Sequence, residues 1–122
     1  MKLHASGPVP YNTITGYGDD YVTVNGERHD SSVVVLPEKI LPWPAQAFDT
    51  LSAENFEFLK NLGAEIVLLG TGARQRFPHP RLTAALTAAG IGVEVMDLKA
   101  ACRTYNILVA EERKVAAALM FK

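Results

Sequence analysis

Apolar runs and amphipathic stretches alternate through most of the chain, and the most distinct run lies near its middle. Four aliphatic residues, Ile66–Leu69, end abruptly at Gly70-Thr71-Gly72. A short apolar run bounded by turn residues is typical of a strand buried on both faces. Residues 31–36 show the same pattern, and residues 91–96 are predicted as a third strand. The chain is therefore predicted to build a central sheet around Ile66–Leu69.

Three amphipathic stretches predict helices between and after these strands. The first begins at the capping residue Ser52, with Leu51 packed on Phe56 as a hydrophobic staple, and it stops at a glycine. The second occupies residues 80–90, and its initial proline favours the first turn of a helix. The third follows the capping residue Asp97. The apolar side of this third helix would consist of Ala101, Tyr105, Leu108 and Val109.

The amino-terminal third has a different pattern. Residues 12–30 contain short alternating stretches, which predict an antiparallel β-meander, and Asn25-Gly26 is a strong hairpin signal. Three prolines between residues 37 and 44 exclude a regular helix or a central strand. This segment is predicted as a crossover loop with Trp43 packed against the domain. Residues 1–10 are predicted to be a tail on the surface.

The order of these elements predicts an α/β fold. Strands that alternate with helices form mostly parallel sheets with right-handed crossovers and helices on the sheet faces. At 122 residues the chain is long enough for one domain and too short for two. We expect a single domain, 1–122, in which the tail (1–10) and the meander (12–30) precede an α/β core (31–122). Apolar periodicity leaves Val115–Met120 open between a continuing helix and a last strand.

The overall composition argues against several classes of protein. The formal net charge is −1 and the pI is about 6.3, whereas nucleic-acid binders normally carry a basic excess. The single cysteine, Cys102, excludes an internal disulfide and favours a reducing compartment. No apolar run approaches the roughly 18 residues of a membrane span, and the first residues lack the features of a signal peptide or presequence. We expect a cytoplasmic protein.

The segment after the central strand is the main candidate for a binding site. In parallel sheets, ligands usually lie just beyond the carboxyl ends of strands. Two glycines could bring backbone N–H groups close to an anion, and nearby arginines could add charge. Neither the lysine of a P-loop nor the third glycine of a dinucleotide fingerprint is present. The alternative is a tight turn with solvated arginines. The candidate residues are Gly70, Thr71, Gly72, Arg74, Gln75 and Arg76, with Arg81 as a further source of charge.

The predicted third helix adds Tyr105 and Asn106 to this candidate site. Asparagine is a poor residue inside a helix because its amide competes for backbone hydrogen bonds. Asn106 is therefore expected to have a specific partner, and the backbone of the glycine loop is the predicted one. Tyr105 is expected in the core with its hydroxyl group bonded. Cys102 is expected to be a buried, inert thiol rather than a nucleophile.

Other combinations of reactive residues do not form a recognisable catalytic or metal site. Residues 29–32 contain the residue types of a catalytic triad, but neighbours in a strand point to opposite faces. The three histidines, at positions 4, 29 and 79, have no metal-ligand spacing. We expect neither a metal nor a cofactor. Trp43 and Phe48 belong to an aromatic–proline cluster, which is interpreted either as a lid on the domain's own core or as an interface.

Several short segments together resemble a known family. They are Ile14-Thr15-Gly16-Tyr17, Val24-Asn25-Gly26, Leu41-Pro42-Trp43, Leu69-Gly70-Thr71-Gly72, Gly90-Ile91 leading to Met96, Thr104-Tyr105-Asn106 and Glu111-Glu112-Arg113. In this order they resemble an uncharacterised prokaryotic domain family that also contains mitochondrial respiratory complex I assembly factor three and an adipogenesis-associated vertebrate relative.

The resemblance implies a three-layer β+α/β domain whose last segment is a strand antiparallel to the others. It implies no established enzymatic activity, and the mitochondrial relative acts as a non-catalytic assembly partner. Two positions depart from the family pattern. Glu112 stands where glycine is usual, and Leu98 stands where threonine is frequent.

These observations favour a protein-binding or assembly module over an enzyme, because no nucleophile, base and orienting group form a set. The expected partner is another protein. The alternative is a protein that binds a small molecule or anion, with or without catalysis, at the loop 70–76. A third reading is a structural protein that associates with itself as a homo-oligomer.

Overall fold

The computed structural model describes residues 11–122, so the predicted tail 1–10 lies outside the described residues. Within residues 11–122, eight strands and three helices follow one another in the order strands β1–β5, helix α1, strand β6, helix α2, strand β7, helix α3 and strand β8. The strands are β1 Ile14–Tyr17, β2 Val22–Val24, β3 Glu27–His29, β4 Val33–Val35, β5 Ile40–Pro42, β6 Ile66–Thr71, β7 Gly92–Met96 and β8 Val115–Met120. The helices are α1 Ala53–Lys60, α2 Pro80–Ala88 and α3 Leu98–Ala110, and a short 3₁₀ turn spans Phe48–Thr50.

The predicted β-meander is confirmed. Strands β1, β2 and β3 form an antiparallel sheet in that order. Asn25 and Gly26, with φ of 54° and 85°, connect β2 to β3, and Val24 pairs directly with Glu27. Positive φ at both central residues is the requirement of a type I′ turn.

The second sheet has the strand order β5-β4-β8-β6-β7. Strands β6, β7 and β8 are parallel, whereas β4 is antiparallel to both β8 and β5. The α/β class is therefore confirmed, but the sheet is evenly mixed rather than mostly parallel, with two parallel and two antiparallel strand pairs. The prediction that the last strand is the antiparallel one is wrong, since β8 lies in the middle of the sheet and is parallel to β6. A helical crossover through α3 allows this parallel return, whereas a short loop can only join β4 to β5 as an antiparallel pair.

The segment rich in proline contains a strand that was not predicted. Residues Ile40–Pro42 pair with β4 at one edge of the sheet. An edge strand tolerates proline because one side of its backbone has no strand to bond with. The exclusion of a central strand therefore agrees with the structure, but the interpretation of the whole segment as a loop is wrong.

The helix boundaries agree closely with the caps expected from the sequence. Asp97 Oδ1 accepts a hydrogen bond of 2.8 Å from the N–H of Ala100, so Asp97 caps α3. At the start of α1, Asn55 Oδ1 accepts a hydrogen bond of 2.9 Å from the N–H of Ser52. Glu112, which follows α3, has a φ of 62°. This left-handed conformation favours glycine, so Glu112 occupies a position where a side chain is strained.

The sheet separates two apolar cores. Leu68 points to the core shared with α3 and the meander, and Leu69 points to the core shared with α1 and α2. Both side chains are fully buried, so the prediction of a β6 strand buried on both faces is confirmed. Val115–Met120 is buried throughout, which agrees with its position beside β6.

Candidate functional site

The two glycines after the centre of β6 have separate structural roles. A Cβ atom on Gly70 would lie 2.9 Å from Leu119 Cδ2 and 3.1 Å from Ala101 Cβ. Gly70 therefore lets the first turns of α3 lie directly on the sheet. Gly72 has a φ of 86°, and a Cβ atom there would lie 3.0 Å from the carbonyl oxygen of Phe121. Close packing and a left-handed turn thus account for both glycines.

Thr71 is the hydrogen-bonding centre of the loop that follows. Its side chain is fully buried. Thr71 Oγ1 donates to the carbonyl oxygen of Arg74 at 2.7 Å and accepts from the N–H of Arg76 at 3.0 Å. The hydroxyl group therefore closes residues 71–76 into a compact turn, because it bonds both the C=O of Arg74 and the N–H of Arg76.

The side chain of Arg76 is held within the protein. Its Nη2 donates to the carbonyl oxygen of Thr71 at 2.8 Å, and its guanidinium carbon lies 4.7 Å from the centre of the Phe48 ring. The N–H of Phe48 donates to the carbonyl oxygen of Lys122 at 2.8 Å. Arg76 thus connects the loop to the 3₁₀ turn, and through it to the chain beyond β8, by a hydrogen bond and a cation–π contact.

Gln75 fixes the loop to the neighbouring strand. Its Nε2 donates to the carbonyl oxygen of Val95 in β7 at 2.8 Å. Thr71, Gln75 and Arg76 therefore hold the loop through hydrogen bonds to the loop itself and to β7, and through the contact with Phe48. These contacts support the interpretation as a tight turn, and the predicted anion site finds no support in them.

The outer side of the same loop is free of such contacts. Arg74 is exposed, and within residues 11–122 its side chain forms no ion pair or hydrogen bond. Arg81 is also exposed, and there the backbone N–H, not the guanidinium group, is bonded to His79 Nδ1, at 3.1 Å. Phe77 is 70% exposed, a large value for a phenylalanine. In the sequence, Phe77 stands between Arg76 and Pro78 in the loop after β6, outside any predicted helix or strand, and this position is the signal for its exposure.

Asn106 contacts β1 rather than the glycine loop. Its Oδ1 accepts from the N–H of Ile14 and its Nδ2 donates to the carbonyl oxygen of Ile14, both at 2.8 Å. The expectation of a specific partner is confirmed, but the predicted partner is wrong. The residue of α3 that bonds to the loop is Leu98, whose N–H donates to the carbonyl oxygen of Gly72 at 2.8 Å. Eight residues of helix place Asn106 about 12 Å farther along the axis.

Tyr105 and Cys102 are structural residues of the same helix. The Tyr105 hydroxyl donates to the carbonyl oxygen of Asn12 at 2.9 Å, and burial raises its pKa. Burial also raises the pKa of the Cys102 thiol to about 12, against the smaller opposing effect of Arg103. The thiol therefore stays protonated at neutral pH, which agrees with the predicted inert cysteine.

Trp43 belongs to the protein's own core. It is 4% exposed, and its Nε1 donates to the carbonyl oxygen of Asn55 at 3.0 Å. Its ring meets that of Phe56 edge to face, with 6.2 Å between the ring centres. Trp43 therefore supports the interpretation of the aromatic–proline cluster as a lid on the core rather than as an interface.

The triad residue types around His29 are not joined to one another. The Asp30 carboxylate accepts a hydrogen bond of 2.7 Å from Arg28 Nε, and this bond is the main cause of the raised pKa of Arg28. Asp30 therefore pairs with an arginine rather than orienting His29. Across residues 11–122, three or more metal-ligating side chains nowhere come together. In the same part of the chain, no helix has the length and apolar character needed to span a membrane.

A family model identifies the relatives of this chain. The family described as a protein of unknown function (DUF498/DUF598) matches residues 14–120. NADH dehydrogenase (ubiquinone) 1 alpha subcomplex assembly factor 3 of Danio rerio is 36% identical over an alignment of 122 positions, which covers 98% of this chain and 68% of that protein. The Bos taurus protein of the same name is 34% identical over 88% of this chain and 59% of its own length. An uncharacterised Rhodobacter capsulatus protein is also 34% identical, over 88% of this chain and 82% of its own length. The chain thus spans only about 60–70% of the animal relatives.

Solved structures share the same fold. A crystal structure of a Bordetella parapertussis protein is 41% identical, with a TM-score of 0.85 over 93% of this chain and 98% of that chain. A solution structure of a Bordetella pertussis protein, described as an Mth938-like domain, is 35% identical. Its TM-score is 0.82 over 98% of this chain and 91% of that chain.

Proposed function

Because the chain belongs to the family described as a protein of unknown function (DUF498/DUF598), we propose that it is a non-enzymatic protein-binding module of the assembly-factor type. Relatives named as assembly factors support this role, since they match nearly the whole chain at 34–36% identity. The architecture proposed for it is three-layered, with the meander and α3 on one side of the sheet and α1 and α2 on the other.

The observation that carries the proposal is the exposure of Phe77 on a firmly held loop. A phenylalanine that is 70% exposed leaves apolar surface in contact with water. A partner that covers this surface removes it from water, and this burial favours binding. Aromatic and arginine side chains are the residues most enriched in protein interfaces. Phe77 and Arg74 therefore form the proposed contact surface.

The internal contacts of the loop support binding rather than oppose it. Thr71, Gln75 and Arg76 fix the backbone that presents Phe77 and Arg74. A loop that is already ordered loses less conformational entropy on association. In this proposal Gly70, Thr71, Gly72, Gln75 and Arg76 position the surface without forming its main contacts. Asn106 fixes α3 to β1, and Tyr105 fixes it to Asn12 just before β1. Both residues are proposed to act only through the fold.

A photocrosslinking experiment tests the proposal. The crosslinker p-benzoylphenylalanine is placed at position 77, and the protein is irradiated in the cells that produce it. Position 58 is the matched control, because Phe58 is the other exposed phenylalanine, at 37%, and lies on α1. We expect a discrete adduct from position 77 and none from position 58. Equal adducts from both positions, or none from position 77, would overturn the proposal.

Three expectations from the sequence stay predictions. They are the cytoplasmic location, the organisation of 1–122 as a single domain, and self-association as a homo-oligomer. Sedimentation of the purified chain tests the last of them. A monomer at the concentrations of the crosslinking experiment would exclude a second copy of the chain as the partner at position 77.

A further inference from the structure

Strand β7 is one edge of the five-stranded sheet. The N–H of Gly92 donates to the carbonyl oxygen of Glu65 at 3.0 Å, so the backbone of Gly92 faces β6. In a parallel pair, alternate residues bond to the neighbouring strand. Glu94 therefore also faces β6, and the N–H and C=O groups of Val93 and Val95 point away from the sheet.

Three of these four outward groups have no hydrogen-bond partner in the described part of the chain. The carbonyl oxygen of Val95 is the exception, because it accepts the 2.8 Å bond from Gln75 Nε2. The N–H of Val93, its C=O and the N–H of Val95 remain unpaired among residues 11–122. A row of unpaired backbone groups at a sheet edge is a template for another strand.

The opposite edge of the sheet is less suited to strand addition. Strand β5 has three residues and ends with Pro42, which has no N–H group. Strand β7 has five residues, contains no proline, and pairs with β6 without a bulge from Gly92 to Met96. A short strand and a proline both discourage strand addition at an edge, and β7 has neither of these features.

We propose that an extended segment of a partner protein adds to β7 as a sixth strand and places a lysine or arginine beside Glu94. The inference rests on the proposed function, since it states how the partner binds. Val95 lies next to the loop through its bond to Gln75, so one partner can contact β7 and the loop together.

The charge of Glu94 decides between a second copy of this chain and a different protein. Antiparallel pairing of two β7 strands through Val93 and Val95 would be centred on Glu94. This register sets the exposed Glu94 of one copy directly opposite Glu94 of the other, and like charges at opposed positions destabilise a sheet. A basic residue at that position would instead form a favourable cross-strand pair.

The test uses random ten-residue peptides displayed on phage and selected on the purified chain. Val93→Pro removes one edge N–H and leaves the bonds to β6 intact, whereas the control Val93→Thr keeps that N–H. We expect selected peptides that contain lysine or arginine and slow the amide hydrogen exchange of Val93 and Val95. Their Kd should rise at least tenfold with Val93→Pro and stay unchanged with Val93→Thr.

A charge reversal provides a second variant that does not alter the backbone. Glu94→Lys should raise the Kd of the basic peptides at least tenfold and select acidic peptides instead. The inference is overturned if no selected peptide protects both valine amides, or if binding is unchanged in Glu94→Lys and Val93→Pro. Crosslinking at position 77 without peptide binding at β7 would overturn this inference alone. Peptide binding at β7 without crosslinking at position 77 would overturn the contact surface of Phe77 and Arg74 alone.

Discussion

Asn106 and Ile14, which are 92 positions apart in the chain, exchange two hydrogen bonds of 2.8 Å. The side-chain amide of Asn106 thus satisfies the backbone N–H and C=O of Ile14, which a neighbouring strand would otherwise have to bond. It therefore joins α3 to the first strand of the meander. The neighbouring Tyr105 hydroxyl adds a third bond, to the carbonyl oxygen of Asn12.

Replacing Asn106 should destabilise the fold. Asn106→Ala leaves the N–H and C=O of Ile14 without their partners, and we expect a loss of about 1–3 kcal/mol in the free energy of unfolding. Ile107→Ala is the matched control, because Ile107 is the adjacent residue and is 58% exposed. Its effect should stay within about 0.5 kcal/mol. Urea unfolding measures both values, and equal losses in the two variants would contradict the role of Asn106.

The space around Gly70 in β6 and Gly92 in β7 predicts that alanine substitution destabilises the protein at Gly70 but not at Gly92. Gly70→Ala places a methyl group 2.9 Å from Leu119 and 3.1 Å from Ala101, so we expect a loss of about 1–3 kcal/mol from overpacking. At Gly92 the nearest atoms to an added Cβ are 3.8 Å away. Gly92→Ala should therefore be neutral or stabilising by a few tenths of a kcal/mol. Thermal unfolding of both variants checks the contrast, which a loss in Gly92→Ala as large as in Gly70→Ala would refute.

The two arginines of the loop should differ in how much each contributes to the free energy of unfolding. Arg76→Ala removes the bond to Thr71 and the contact with Phe48, and we expect a loss of about 1–2 kcal/mol. Arg74→Ala alters an exposed side chain and should change the free energy of unfolding by less than about 0.5 kcal/mol. Denaturant titration of both variants measures the difference. A large loss in Arg74→Ala would show that Arg74 has an internal role that the structure does not indicate.

Alkaline pH should weaken the fold through two buried acids. Burial raises the pKa of Cys102 from its ordinary value near 9 to about 12, and it raises the pKa of Tyr105 as well. The unfolded chain therefore releases protons that the folded chain keeps, so stability is complete below about pH 9 and falls as the pH rises above it. Urea unfolding between pH 8 and pH 11 should show this decline, and Cys102→Ala should make it shallower. An identical slope in Cys102→Ala would contradict the assignment to Cys102.

Much of the local structure could be predicted from the sequence, because its causes lie within a few residues. The apolar run Ile66–Leu69, the cap Asp97 and the turn Asn25-Gly26 each act through neighbours in the chain. Strand order depends instead on pairing between distant segments. Val115–Met120 has no clear helical or strand period, and nothing local places it between β4 and β6.

The candidate site was predicted less well than the fold, for the same reason. The position of the loop at the end of β6 follows from the chain pattern, but the direction of its side chains does not. Arg74 and Arg76 are two residues apart, yet one is exposed and the other stacks on Phe48. The partner of Asn106 lies 92 residues away. No spacing rule connects these pairs.

The most direct test of the binding surface is the affinity of the partner recovered by crosslinking at position 77. Titration calorimetry compares its Kd for the wild-type chain with that for the double variant Arg74→Ala/Phe77→Ala. We expect a Kd at least tenfold higher for the double variant, with an unchanged free energy of unfolding. An unchanged Kd would contradict the claim that Phe77 and Arg74 form the contact surface.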